Sequence, residues 1–156
     1  FDDSKKKDEK YYINTNQTFT YDADAGTVTA AYGNATPKAH ADRNGTDEDG
    51  VELDPVVVIE GLKTKFIRDV KSQAEGLLNQ TDWYITRKAE KNTAIPSAIT
   101  TWRDGIRTKQ AAMETLITNA SNTAAIETLY TYVNTADEGD PKVFERPLGE
   151  FPVLGS

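Results

Sequence analysis

From Tyr11 the chain turns to β-type residues: Tyr11, Tyr12 and Ile13, then Thr18, Phe19, Thr20 and Tyr21, which suit a pleated, half-buried backbone. Residues 22–26 supply turn chemistry, with Gly26 able to take a positive φ, and Thr27, Val28, Thr29, Ala30, Ala31 and Tyr32 resume the alternation. The pattern predicts a β-hairpin. A single hairpin is marginal in water, so its apolar face needs a third strand, a helix or another subunit against it. Residues 33–55 are rich in Gly, Asn, Asp, Thr and Pro, have only Val51 and Leu53 as large apolar side chains, and predict an extended surface loop. Pro55-Val56-Val57-Val58-Ile59 fits a short buried strand or an apolar lead-in stapled to the next helix; its length does not choose between them.

Helical periodicity begins at Leu62. Leu62, Phe66, Val70, Ala74, Leu77 and Leu78, with Ile67 beside them, form one stripe and predict an amphipathic helix over residues 62–78. Thr81 or Asp82 then reads as the N-cap of a short helical segment running toward Lys91, with acidic Asp82 at the favoured end of the helix dipole. Ile95-Pro96-Ser97 predicts a sharp start to a further helix over residues 97–118, with Ser97 as the cap and Ile99, Trp102, Ile106, Met113, Leu116 and Ile117 on its apolar side. Thr123 reads as the cap of a last helix that sets Ile126, Leu129, Tyr130 and Val133 on a common side. Residues 137–141 end regular structure, and Pro141, Pro147 and Pro152 predict an extended tail. That tail carries Val143, Phe144, Leu148, Phe151, Val153 and Leu154, so it should dock on a surface, its own or a neighbour's.

The expected fold class is therefore α+β: an N-terminal β-hairpin module with a long acidic loop over residues 1–60, an antiparallel helical module over 61–135 and an extended docking tail over 136–156. Length agrees, since 156 residues bury one modest core or two small ones sharing an interface. The apolar share of 37% is low for a compact globule, and implies that part of the chain is solvated or completed by a partner. Lys and Arg number 18 against 25 Asp and Glu, and the net charge of -7 opposes contact with phosphate backbones, so no nucleic acid is expected. Without cysteine there is neither a disulfide framework nor a thiolate metal site. No apolar run approaches the roughly 20 residues that span a bilayer, the opening residues are too charged for a signal peptide, and a start at Phe1 suggests processing or a fragment of something longer.

Three stretches of the helical region belong together. They are Arg68-Asp69-Val70-Lys71 through Leu77-Leu78-Asn79-Gln80-Thr81-Asp82-Trp83-Tyr84, then Ile95-Pro96, then Thr101-Trp102-Arg103-Asp104-Gly105-Ile106-Arg107. Physically, Thr81 or Asp82 would cap the turn between two helices, Trp83 would pack back onto Leu77 and Leu78, and Arg103 or Arg107 could pair with Asp82 or Asp69. From Ile67 to Leu116 this arrangement resembles the tail assembly chaperone-like proteins of tailed bacteriophages. Their pattern runs from a helix ending Leu-Leu, through a Thr-Asp-Trp step, to a Pro-led helix with an aromatic-Arg-x-x-aliphatic-Arg signature, here Trp102 to Arg107. The chain departs from the short form of that family in residues 84–91, an intact helical insertion, and in its N-terminal hairpin and loop. The resemblance implies an assembly factor made in the host cytoplasm, or the same module built permanently into the virion as a tail or tail-fibre-associated subunit.

On this reading the chain is a non-enzymatic binding protein whose partners are other phage structural proteins and further copies of itself, with no membrane or cofactor involved. The hairpin offers an edge for strand addition, and the interface candidates are Trp83, Tyr84, Val143, Phe144, Leu148, Phe151, Val153 and Leu154. The rival reading is a carbohydrate- or Ca²⁺-binding surface domain using Asp42 to Gly50 with Tyr11, Tyr12, Tyr21 and Tyr32. The loop has the oxygen ligands of a Ca²⁺ site but not EF-hand spacing: from Asp42 the sixth position is Asp47 rather than Gly and the twelfth is Leu53 rather than Glu. His40, the single histidine, lies in that loop with no nucleophile motif beside it, and no phosphate-cradling glycine loop or zinc spacing occurs, so no catalytic, cofactor or metal residue is expected. Asn16-Gln17-Thr18 and four similar tripeptides match the glycosylation acceptor pattern only through abundant Asn and Thr.

Overall fold

The structure is a computed structural model that describes residues 2–15 and 17–155. Asn16 of the first acceptor tripeptide, Phe1 at the start and Ser156 at the end of the tail lie outside the described residues. The fold is α+β. Strands β1 (Tyr12–Ile13), β2 (Thr18–Asp22), β3 (Thr27–Ala31), β4 (Thr36–Pro37), β5 (Arg43–Asn44) and β6 (Val58–Ile59) precede four helices, α1 (Leu62–Asn79), α2 (Asp82–Lys91), α3 (Ser97–Asn119) and α4 (Thr123–Tyr130). Strands β7 (Val133–Asn134) and β8 (Phe144–Glu145) close the order.

The sheets are separate antiparallel pairs, β1 with β4, β2 with β3, β5 with β6 and β7 with β8. The expected hairpin forms, with Phe19 opposite Ala30 and Tyr21 opposite Val28. Asp22 accepts the N–H groups of Asp24 and Ala25 at 3.0 Å and Gly26 takes φ +61°, the left-handed geometry its place in the turn requires. Tyr11 to Ile13 do not extend β2; they turn away, and β1 pairs with β4 inside the stretch expected to be an irregular loop. Residues 55–59 form neither a buried strand nor a staple, because β6 pairs with β5 at the surface and Val56 to Ile59 are exposed.

The helical stripes close against one another. Leu62, Phe66 and Val70 of α1 meet Met113 and Ile117 of α3, while Ala74, Leu77 and Leu78 meet Trp102 and Ile106, so the two helices run antiparallel. Ile126 of α4 joins the first cluster, and so do Tyr11, Tyr12 and Leu148. The expected boundary at residue 60 is thus crossed: Tyr11 and Tyr12 lie in the helical core, where the Tyr12 hydroxyl donates to Glu127 at 2.8 Å.

Thr81 takes the N-cap place of α2 as expected, without a side-chain cap bond, while the caps of α3 and α4 fall one residue before the expected ones. Asn122, not Thr123, accepts the N–H of Ala125 at 2.9 Å, and the Thr123 hydroxyl donates to the carbonyl of Lys38 instead. At the start of α2 the Thr81 hydroxyl donates backward to Leu78, and α3 begins after Pro96 with no side-chain cap from Ser97. Leu116 is turned to solvent, and Val133 leaves the common side of α4 to enter β7.

Candidate protein-interaction surfaces

The α1–α2 corner is organised by Arg103. Its Nη1 reaches the carbonyl of Leu78 at 2.8 Å, Oγ1 of Thr81 at 2.7 Å and Oδ1 of Asp82 at 2.8 Å, so one buried guanidinium ties the C-terminus of α1 to the N-terminus of α2. Asp82 is therefore the carboxylate that Arg103 holds. Arg107 turns instead to Asp104 at 3.3 Å.

Trp83 is not among the residues packed with Leu77 and Leu78 in the second core cluster. It is 51% exposed, tilted against Tyr84 with ring centroids 3.8 Å apart, and Arg87 lies 5.0 Å from its ring. Trp83, Tyr84 and Arg87 make an aromatic ledge on α2, a helix that buries none of its residues.

The tail residues separate into two kinds. Leu148 is 1% exposed and belongs to the core, its N–H donating to Leu129 at 3.0 Å, which removes it from the interface candidates. Phe151 is half-buried between the two core clusters, and Trp102 Nε1 donates to the carbonyl of Pro152 at 2.9 Å, holding the segment on α3. Val143 and Phe144 are exposed on the β7–β8 arm, with Tyr132 and Val133, and Val153 and Leu154 are exposed beside a shallow groove along Ile99, Trp102 and Gly105.

One exposed apolar face lies outside the interface residues proposed from sequence. Phe19, Tyr21 and Val28 share one side of the β2–β3 hairpin and are 69%, 67% and 61% exposed. Their alternation was visible in the sequence; that no helix covers them was not, because burial of a face depends on distant chain.

Two carboxylates of the acidic loop, Asp42 and Asp47, are engaged in local hydrogen bonds. Asp42 accepts from Gly61 N–H at 2.7 Å and from the Thr64 hydroxyl at 2.7 Å, bonds that hold its carboxyl below the usual carboxylate range and anchor the start of α1. Gly61 must be glycine there, since a Cβ would run into the backbone of Ala41. Asp47 accepts the N–H groups of Asp49 and Val51. Among the described residues no three His, Cys, Asp or Glu side chains come together as a metal site, and no helix is long and apolar enough to cross a membrane.

Buried tyrosines carry the large pKa shifts. Burial pushes the hydroxyls of Tyr11 and Tyr130 up to about 12, and Tyr12 is raised by its hydrogen bond to Glu127. Tyr11 and Tyr130 sit in the core or against it, so their shifts report packing. Comparison of the chain with family models, with curated proteins and with solved structures returns no match.

Proposed function

We propose that the chain is a non-enzymatic structural or assembly subunit of a tailed-phage particle that works by protein–protein binding. One observation carries the binding part: apolar and aromatic side chains stand exposed on paired-strand arms and on α2, around a helical core too small to cover them. Phe19, Tyr21 and Val28, then Val56 to Ile59, then Tyr132, Val133 and Phe144 are separate patches, and such surface is costly to leave in water unless another chain covers it.

The phage part is supported by the motif from Leu77 to Tyr84 and from Trp102 to Arg107, whose Asp82–Arg103 contact gives the motif a physical reason to exist. The carbohydrate or Ca²⁺ reading has less support, because Asp42 and Asp47 are engaged with Gly61, Thr64, Asp49 and Val51.

Mass spectrometry of purified particles of the phage encoding the chain tests the assignment. Its peptides should be found in the tail fraction, or in tail-assembly intermediates if it is released before completion. Their absence from both rejects the virion reading.

A further inference from the structure

We propose that the outer edge of β2 pairs antiparallel with β2 of a second copy of this chain, joining two hairpins into a four-stranded sheet about a two-fold axis at Thr20. The inference rests on the protein-binding reading above and names its partner. The hairpin has two edges, and one is partly occupied: the Asp2 N–H donates to the carbonyl of Ala30 at 2.7 Å and Asp2 forms a parallel bridge with Ala31, covering that end of β3. Among the described residues β2 pairs with β3 alone, so its other edge presents unpaired backbone groups. All five β2 residues are exposed, and the strand Thr-Phe-Thr-Tyr-Asp has no Lys, Pro or inward charge to discourage pairing.

The strand's own sequence selects the occupant. In an antiparallel register centred on Thr20, Phe19 faces Tyr21 of the second copy, Thr20 faces Thr20 and Thr18 faces Asp22. This register pairs all five residues. Aromatic and Thr–Thr pairs directly opposite one another stabilise a sheet, and a Thr hydroxyl can donate to the facing carboxylate. The two Asp22 side chains fall at opposite ends, so like charges stay apart although the chain carries -7. Opposite residues share a face, so Phe19, Tyr21 and Val28 of both copies make one continuous apolar surface. The symmetric pairing uses the open β2 edge once on each copy, so it closes about its two-fold axis as a dimer, and Asp2 occupies the Ala31 end of the remaining β3 edge.

The chain has no cysteine, so Thr20→Cys places a single thiol on the axis. Facing Cβ atoms there lie about 4.5–5.5 Å apart, close enough for a disulfide after small adjustment. Mild oxidation of the full chain should give a covalent dimer with Thr20→Cys and none with Thr29→Cys, which sits on β3 away from the axis. In sedimentation equilibrium the parent chain should be a monomer–dimer system. Thr20→Pro and Phe19→Lys should each raise its Kd about tenfold or more, while Phe19→Lys combined with Tyr21→Glu recovers much of that by facing opposite charges across the axis. Circular dichroism should show unchanged helix in every variant, because β2 contributes nothing to the helical core. A parent chain that stays monomeric, or a Kd indifferent to these changes, overturns the pairing while leaving binding through the other arms intact. Failure to find the chain in particles would instead reject the virion reading and leave the dimer standing.

Discussion

Arg103 holds Asp82 at 2.8 Å, yet the two partners differ sharply in exposure, the guanidinium side chain at 8% and the carboxylate at 51%. The same Nη1 also serves Leu78 and Thr81, so the guanidinium supports backbone as well as charge. Substituting the two residues should therefore have unequal effects. Arg103→Met should cost about 2–4 kcal/mol, through lost packing and a corner carbonyl deprived of its partner, whereas Asp82→Asn should cost less than about 1 kcal/mol because solvent screens the pair. Urea unfolding of both variants checks this; equal losses would mean that Arg103 acts through the ion pair alone.

Asp42 makes a different prediction, one of pH. Its carboxyl is held below its ordinary value of 3.8, first by the N–H of Gly61 and then by the Thr64 hydroxyl. A depressed folded-state pKa contributes stability above the unfolded value and loses it as pH falls through the folded one. The stability gap between the parent chain and Asp42→Ala should accordingly be full at neutral pH and shrink below pH 3.8. Denaturant midpoints of both proteins across the acid range measure it, and a gap independent of pH would show that the ionised carboxylate is not what anchors α1.

Leu148 and Phe144 stood together as interface candidates in the sequence, and the fold gives them opposite roles. Leu148 is packed in the core and Phe144 is exposed. Leu148→Ala should cost about 2–5 kcal/mol, the range for emptying a packed aliphatic site, and Phe144→Ser should stay within about 0.5 kcal/mol. Thermal melts decide the first comparison. Deleting the whole tail is thus a poor assay of assembly, since it removes core with surface.

What could be read in advance was periodic and local. The stripe from Leu62 to Ala74 and that from Trp102 to Ile117 became the α1–α3 interface because helical spacing alone determines which side chains share a face. Tyr11 and Tyr12 looked like strand residues, but their burial depends on Phe66 and Ile126, far along the chain. The cap of α4 was missed for a similar reason: Thr123 had the right chemistry, and the carbonyl of Lys38, unseen from sequence, claimed its hydroxyl. Trp83 was misplaced, and its indole stands on the surface where it remains a contact candidate.

Tyr130 carries the last prediction. Its ring lies 4.7 Å from that of Phe66, which also stacks with Tyr11 at 5.7 Å, and its hydroxyl is buried with no hydrogen-bond partner among the described residues. Burial raises Tyr130 and Tyr11 from 10.0 to about 12, with nearby Arg146 opposing the rise at both. A raised folded-state pKa means that the unfolded chain ionises first, so stability is complete below pH 10 and is lost as pH climbs toward 12. Tyr130→Phe keeps the ring and discards a hydroxyl that makes no bond. It should leave stability at neutral pH unchanged or raise it by about 0.5–1 kcal/mol, and it should move the onset of alkaline unfolding upward by removing one of the tyrosine ionisations that drive it. Urea midpoints measured from neutral to strongly alkaline pH test both halves. A variant weaker than the parent at neutral pH would reveal a partner for the Tyr130 hydroxyl, and an unmoved alkaline onset would place the vulnerable proton on Tyr11 or Tyr12.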